Sequence, residues 1–213
     1  EWIGGMERGR FIVVEGLDGS GKSTQISALA QNLQARGYEV FLTAEPTDCE
    51  TGVYIRRILS ESLSKNMYLQ AALFLADRLE HITHPEHGIK KQLEEGKTVI
   101  CDRYYYSSFA YQGTQSDIDW VMDINLNCAE MLRPDLCVFL DVDPQTCKTR
   151  LDCSRAKLEL YEKDVKILRS VRQNFFDVFN RLEERENIRV IKADREQSAV
   201  AKDVLRAALE VLD

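Results

Sequence analysis

Gly16-Leu17-Asp18-Gly19-Ser20-Gly21-Lys22-Ser23, followed by Thr24, satisfies G-x-x-x-x-G-K-[ST]. Residues of these types at this spacing bind phosphate. The glycines let the backbone curl until successive N–H groups point at phosphate oxygens, and the helix that follows adds partial positive charge at its N-terminus. Lys22 would bridge the outer phosphates of a nucleotide, and Ser23 would offer its hydroxyl to Mg²⁺. A second reactive pair, Asp102-Arg103, closes the apolar run Thr98–Cys101. Asp102 is suited to hold magnesium through water or to orient an acceptor, and Arg103 to grip an acceptor phosphate. The bland alternative is an ion pair at a strand end. Phe74 and Arg78, four apart, are neighbours on one helix face. There a ring can stack on a base while a planar guanidinium reads its oxygens. On residue types alone, Phe74 is equally a core ring and Arg78 a solvated charge.

The elements around these residues alternate strand and helix. Phe11–Val14 is fully apolar, as expected of a strand buried on both faces. Further strands are predicted at 39–43, 98–101, 136–140 and 188–191. Ile26, Leu29, Ala30 and Leu33 recur at helical spacing after the glycine loop and stop at Gly37. Helices are also predicted at about 52–63, 68–83, 86–95, 117–131, 144–152, 157–184 and 197–212. Strands separated by helices imply an α/β sandwich of three layers, a five-stranded parallel sheet with helices on both faces. The phosphate loop would lie at the strand ends, where open α/β sheets bind ligands.

The 213 residues carry 28 Lys+Arg against 35 Asp+Glu, a formal charge of −7, which argues against a broad nucleic-acid surface. One buried phosphate site needs only a few cations. No apolar run is long enough to span a membrane. The six cysteines show no C-x-x-C spacing, so neither a zinc ribbon nor a redox motif is read, and a reducing cytoplasm is the default compartment. His81, His84 and His87 are spaced like metal ligands, but Pro85 interrupts their helix, so a shared metal-binding face is not expected. N-K-x-D and D-x-x-G are absent, which argues against a GTPase. Residues 1–9 read as an N-terminal extension, with Met6 a candidate natural start, and 10–213 as one domain with a lid at about 150–160.

Taken in order, EGLDGSGKST, Glu45-Pro46-Thr47, LFLADR, DRY at 102–104, SFAYQG at 108–113 and PDLCVFLDVDP at 134–144 resemble the thymidylate kinase (dTMP kinase) family. The resemblance runs from about Phe11 to the last helix. It implies a P-loop kinase with a lid, a cytoplasmic homodimer, that moves the γ-phosphoryl group of MgATP to dTMP, giving dTDP and ADP. It implies Lys22, Asp18, Asp102, Arg103 and Arg155 as catalytic residues. ATP would be held by Gly16, Leu17, Asp18, Gly19, Ser20, Gly21, Lys22, Ser23, Thr24 and Arg150, and Mg²⁺ by Ser23 and Asp102. For dTMP the implied set is Asp18, Glu45, Arg56, Phe74, Arg78, Arg103, Tyr111 and Gln112. In it Phe74 would stack on thymine, Arg78 read it, and Tyr111 pack on the deoxyribose.

One branch of the family has an arginine where this chain has Gly19; the other supplies that cation from the lid. Arg155 is the expected lid donor, with Arg150 along adenine or the donor phosphates. The lid is sparser in cations than usual, with Asp152 and Glu159 mixed in. Two alternatives stand beside this reading. One is another deoxynucleotide or deoxynucleoside kinase on the same scaffold, the other a P-loop switch that binds nucleotide without transfer.

Overall fold

A computed structural model describes residues 8–61, 66–114, 116–154 and 164–212. Five strands form one parallel sheet: β1 (Phe11–Gly16), β2 (Val40–Ala44), β3 (Thr98–Asp102), β4 (Leu136–Asp141) and β5 (Ile188–Lys192), in spatial order β2-β3-β1-β4-β5. β1 occupies the middle, with Val13 paired to Cys101 on β3 and Cys137 on β4. All six residues of β1 and of β4 are buried, which is why both read as unbroken apolar runs apart from their functional ends. The edge strands β2 and β5 are half-exposed and mix polar residues into the pattern.

Described helices cover both faces: α1 (Lys22–Gln34), α2 (Glu50–Glu61), α3 (Met67–Thr83), α4 (Ile89–Glu94), α5 (Tyr105–Gln112), α6 (Ile118–Leu126), α7 (Pro144–Ser154), α8 (Val165–Leu182) and α9 (Gln197–Leu212). α1 packs on α9, and α5 packs on α8. Caps explain several boundaries. Asn66 accepts from the N–H groups of Tyr68 and Leu69 at the start of α3, and Asp117 from Asp119 and Trp120 at the start of α6. The region 86–95 begins as a helix only after Gly88, because Pro85 falls in the preceding turn. The expected 117–131 helix stops at Leu126. Residues 157–163, the first part of the expected long helix, lie outside the described residues; α8 supplies the rest.

The notable difference is α5, which periodicity does not reveal. Its eight residues, YYSSFAYQ, are buried on nearly every side, so no polar stripe marks a helical period. It is held between β1 and α8 by rings: Tyr111 meets Phe175 edge-on at 6.2 Å, and Tyr106 meets Phe179 at 6.1 Å. Phe139 of β4 then meets Phe175 at 4.8 Å with the two rings tilted by 42°. Phe175 is fully buried at this junction. Phe175→Ala should therefore lower the unfolding free energy by about 3–5 kcal/mol in urea titration. A loss below about 1 kcal/mol would show that α8 does not share the cooperative core.

Candidate active site

Glu15 and Gly16 end β1 at the carboxyl edge of the sheet, and the phosphate loop turns there into α1. The helix cap is Gly21, which has no side chain to occupy the first-turn N–H groups, so they remain available to an anion. Lys22 reaches back over the loop, its Nζ donating to the carbonyls of Gly16 at 3.1 Å and Leu17 at 3.2 Å. Burial pulls the pKa of this ammonium below the ordinary lysine value, and Arg103 adds to the effect. Gly19 sits at φ +81, and a Cβ there would stand 2.7 Å from the carbonyl oxygen of Cys147 in α7. An arginine at this position would be strained in its backbone and would collide with α7. Arg150 of α7 instead donates from Nη1 to the Gly19 carbonyl at 3.1 Å. A cleft with an empty volume of about 630 Å³ opens beside it, between the loop, Gln25, Arg150, Ala193, Arg195 and Gln197.

On the other side of β1 lies a second cleft, with an empty volume of about 540 Å³ counting the solvent at its mouth. Asp18, Glu45, Phe74, Arg78, Arg103, Tyr111 and Gln112 all line it, together with Pro46, Leu59, Tyr104, Ser107 and Ser108. Seven of the eight residues expected at the acceptor thus converge from the phosphate loop, the β2–α2 loop, α3, the end of β3 and α5. Arg56 does not line it. Its Nη1 donates to the carbonyls of Pro46 at 2.9 Å and Thr47 at 2.7 Å, holding the β2–α2 loop. Its neighbour Arg57 pairs with Glu61 on the helix surface.

Where the two clefts meet, Arg103 has φ 69, a left-handed conformation that non-glycine residues rarely adopt. The conformation turns the chain from β3 into α5 and aims the guanidinium across the strand ends. Nη2 donates to Asp18 Oδ1 at 2.7 Å, and the Tyr111 hydroxyl donates to Asp18 Oδ2 at 3.1 Å. Nη1 donates to Ser107 Oγ at 3.0 Å, and that hydroxyl donates onward to Glu15 Oε2 at 2.7 Å. Glu15 Oε1 accepts the N–H groups of Tyr104 and Ser107 at 2.9 and 3.1 Å. Burial raises the Glu15 pKa, opposed by Arg103 and by these hydrogen bonds.

Among the described residues Arg78 is the largest fully buried side chain. It contacts Glu45 Oε2 through Nε at 2.8 Å and Nη2 at 2.7 Å, donates from Nη1 to Asn125 Oδ1 at 2.6 Å, and from Nη2 to Ser108 Oγ at 3.1 Å. It also lies over the Tyr104 ring, 5.1 Å from its centroid. This is a buried, partnered cation at the floor of the cleft, not a solvated charge. Asp77 anchors the β2–α2 loop from below by accepting from the Thr47 N–H and hydroxyl at 2.9 and 2.6 Å. Glu15, Ser107, Ser108, Asn125 and Asp77 escape sequence reading because each has a partner more than 25 residues away, and His81 is visible there only as one of three spaced histidines.

Ser23 is exposed beside the loop, and Asp102 Oδ1 is buried without a hydrogen-bond partner among the described residues. A buried unpaired carboxylate oxygen is costly, and a hydrated cation would satisfy it. A hydroxyl and a carboxylate with open positions suit Mg²⁺, whose remaining ligands are phosphate oxygens and water. Of the three histidines, His81 points inward while His84 and His87 stack on each other at 5.4 Å. Arg155 and Lys157 lie outside the described residues.

Asp18 carries a pH signature. Burial alone would raise its pKa, but Arg103, Lys22 and the Tyr111 hydrogen bond outweigh burial and hold it at about 2. A depressed folded pKa means this stabilisation is complete above the unfolded carboxyl value and is lost as pH falls through about 2. Between pH 5 and 2, wild type should therefore lose up to about 2 kcal/mol more stability than Asp18→Asn in denaturant titrations. Parallel profiles would show that the Asp18–Arg103 pair does not control folding.

Similarity to known proteins agrees with this geometry. The thymidylate kinase family model matches residues 14–204. A probable thymidylate kinase of Pyrococcus horikoshii is 47% identical over 174 residues, covering 79% of this chain and 82% of that protein. A probable thymidylate kinase of Caldivirga maquilingensis is 41% identical, covering 92% and 91%. The thymidylate kinase of Pelotomaculum thermopropionicum is 38% identical, covering 97% and 95%. With a phosphate loop on one side of β1, a buried arginine floor on the other and this similarity along most of its length, the chain belongs to the thymidylate kinase family.

Proposed function

We propose that the chain transfers the γ-phosphoryl group of MgATP to dTMP, forming dTDP and ADP. The observation that carries the reading is the placing of two clefts on either side of the β1 end, with Lys22 and Arg103 between them. Phosphoryl transfer asks a protein mainly to align two polyanions and to neutralise spreading charge. The donor phosphates would lie on the backbone N–H groups of Gly16 to Thr24, with Lys22 swinging from the loop carbonyls to the outer phosphates. The donor base would enter the cleft between Arg150 and Arg195. Ser23 and Asp102 would hold Mg²⁺, which when bound shields the donor phosphate charge.

On the acceptor side, thymine would lie between Phe74 and the floor formed by Arg78, whose guanidinium suits the base carbonyls, with Gln112 and Ser108 nearby. The Tyr111–Asp18 hydrogen bond walls the sugar region, where a 2′-hydroxyl would be crowded, and Asp18 can accept from a 3′-hydroxyl. Arg103 would exchange part of its contact with Asp18 for the acceptor phosphate. Arg155 is proposed as the lid cation, since Gly19 leaves no room for one in the loop. A cytoplasmic homodimer is the expected form; exposed Val53, Tyr54, Tyr68, Leu69 and Trp120, on helices α2, α3 and α6, offer apolar surface for it. No described helix is long and apolar enough to cross a membrane.

Steady-state assays with MgATP and a panel of deoxynucleoside monophosphates and nucleosides test the assignment. Turnover with dTMP and release of dTDP is expected. Turnover with only a purine monophosphate or a nucleoside would replace the acceptor, and tight ATP binding with no acceptor would replace catalysis by nucleotide binding. Arg155→Ala should lower kcat by about 100-fold or more while changing the KM for ATP by less than about threefold, because the contact belongs to the transition state. A loss below about tenfold would move the role to Arg150 or Lys157.

A further inference from the structure

The buried imidazole of His81 takes no part in the reaction just described, yet it is bonded on both ring nitrogens. Nε2 lies 2.6 Å from Thr43 Oγ1 on β2, and Nδ1 lies 3.1 Å from Glu45 Oε1. The other oxygen of Glu45 is the one that holds the Arg78 guanidinium. His81 and Arg78 stand three apart on α3, one turn of the same helix face, so a single carboxylate bridges them. All three side chains are buried.

A carboxylate has no proton to give, so the Nδ1–H of His81 must be the donor to Glu45. In neutral imidazole the Thr43 hydroxyl then donates to Nε2, so the carboxylate fixes which nitrogen carries the proton and the hydroxyl adapts to it. The chain of bonds thus runs from the edge strand through the ring to the carboxylate and on to the guanidinium. Without the His81 donor, Glu45 Oε1 would be left buried and unpaired, and its side chain would be free to turn. Because Glu45 grips Arg78 through both Nε and Nη2, any turn of the carboxylate would carry the guanidinium with it. Asn125 and Ser108 occupy one hydrogen of Nη1 and one of Nη2. A single Nη1 hydrogen remains for the ligand among the contacts of the described residues, and its direction depends on that tilt.

We propose that His81 is a positioning residue for the acceptor base: through Glu45 it sets the orientation of Arg78, and hence affinity for the pyrimidine monophosphate. The proposal rests on the dTMP reading of this cleft. It separates His81 from residues that merely fill the core, because its two contacts can be kept or lost one at a time. The side-chain nitrogen of asparagine lies at the same bond distance from Cβ as Nδ1, whereas that of glutamine corresponds to Nε2. His81→Asn can therefore keep the bond to Glu45 and lose Thr43, and His81→Gln the reverse.

The test measures kcat and both KM values for wild type, His81→Asn and His81→Gln, with the thermal midpoint of each. His81→Asn is expected to keep the KM for dTMP within about threefold of wild type, and His81→Gln to raise it about tenfold or more. In both, the KM for ATP should stay within about twofold, since the donor cleft lies across β1. A wild-type-like His81→Gln with an impaired His81→Asn would overturn the proposal in favour of the Thr43 contact. So would a parallel loss of kcat and both KM values tracking the thermal midpoint, or no change in either variant. Absence of dTMP turnover in wild type would instead overturn the assigned reaction itself, which separates the two failures.

Discussion

A single buried carboxylate, that of Glu15, is the constraint on which the cleft around Arg103 depends. It lies at the end of the middle strand and accepts two N–H groups from the start of α5 and the Ser107 hydroxyl. The first turn of a helix carries N–H groups with no partner inside the helix, and a negative charge there is doubly favoured. Here the cap comes from another element entirely. It fixes α5 against β1, and α5 carries Ser107, Ser108, Tyr111 and Gln112 along the cleft that Arg78 floors. The same anion holds Ser107, which in turn steadies Arg103 in its left-handed conformation. Cys101 adds to the turn by donating from Sγ to the Arg103 carbonyl at 3.0 Å. A strained residue survives only where its surroundings over-determine it, and these contacts do so.

The electrostatics of the site follow from placing few cations among many anions. The chain carries a formal charge of −7, yet Lys22 and Arg103 share one edge of the sheet with Asp18, Glu15 and Asp102. Burial would disfavour the charge on Arg103, but the Asp18 carboxylate beside it, helped by Tyr111, Asp102 and Glu15, raises its pKa well above the ordinary arginine value. Arg103 is therefore already paired with Asp18 and Lys22 is held by the loop carbonyls, so an incoming anion competes with internal partners instead of meeting bare charge. That arrangement keeps the cleft stable without ligand and favours ligands able to offer several oxygens at once.

Local chemistry was readable from the chain, and remote partnership was not. The phosphate loop announces itself because its glycines, lysine and serine are contiguous. β1, β3 and β4 announce themselves because strands buried on both faces need apolar residues at every position. Phe74 and Arg78 were legible as a pair, but their spacing could not say that the arginine is fully buried, since Glu45, Ser108 and Asn125 come from three other elements. α5 left no periodic trace because it is buried almost all round, and its cap belongs to β1. Arg56 was visible as a cation near the right loop, but its spacing could not say that it is bound to backbone carbonyls. Spacing along a chain reports neighbours on one helix or strand; pairings across elements are set by the fold as a whole.

The strand order has a consequence for how such a protein can diverge. β2 and β3, with α2, α3 and α5, build the cleft around Arg78, proposed for the acceptor, while β4 and β5, with α7 and α9, frame the cleft beside Arg150, proposed for the donor. The two halves share β1 and the loop that leaves it. On the proposed assignment, substitutions that reshape the floor around Arg78 would retune which base is accepted while leaving the glycine loop untouched. The molecule is in this sense two half-sites hinged on one strand, each free to drift under its own selection so long as Glu15 and the glycine loop are kept.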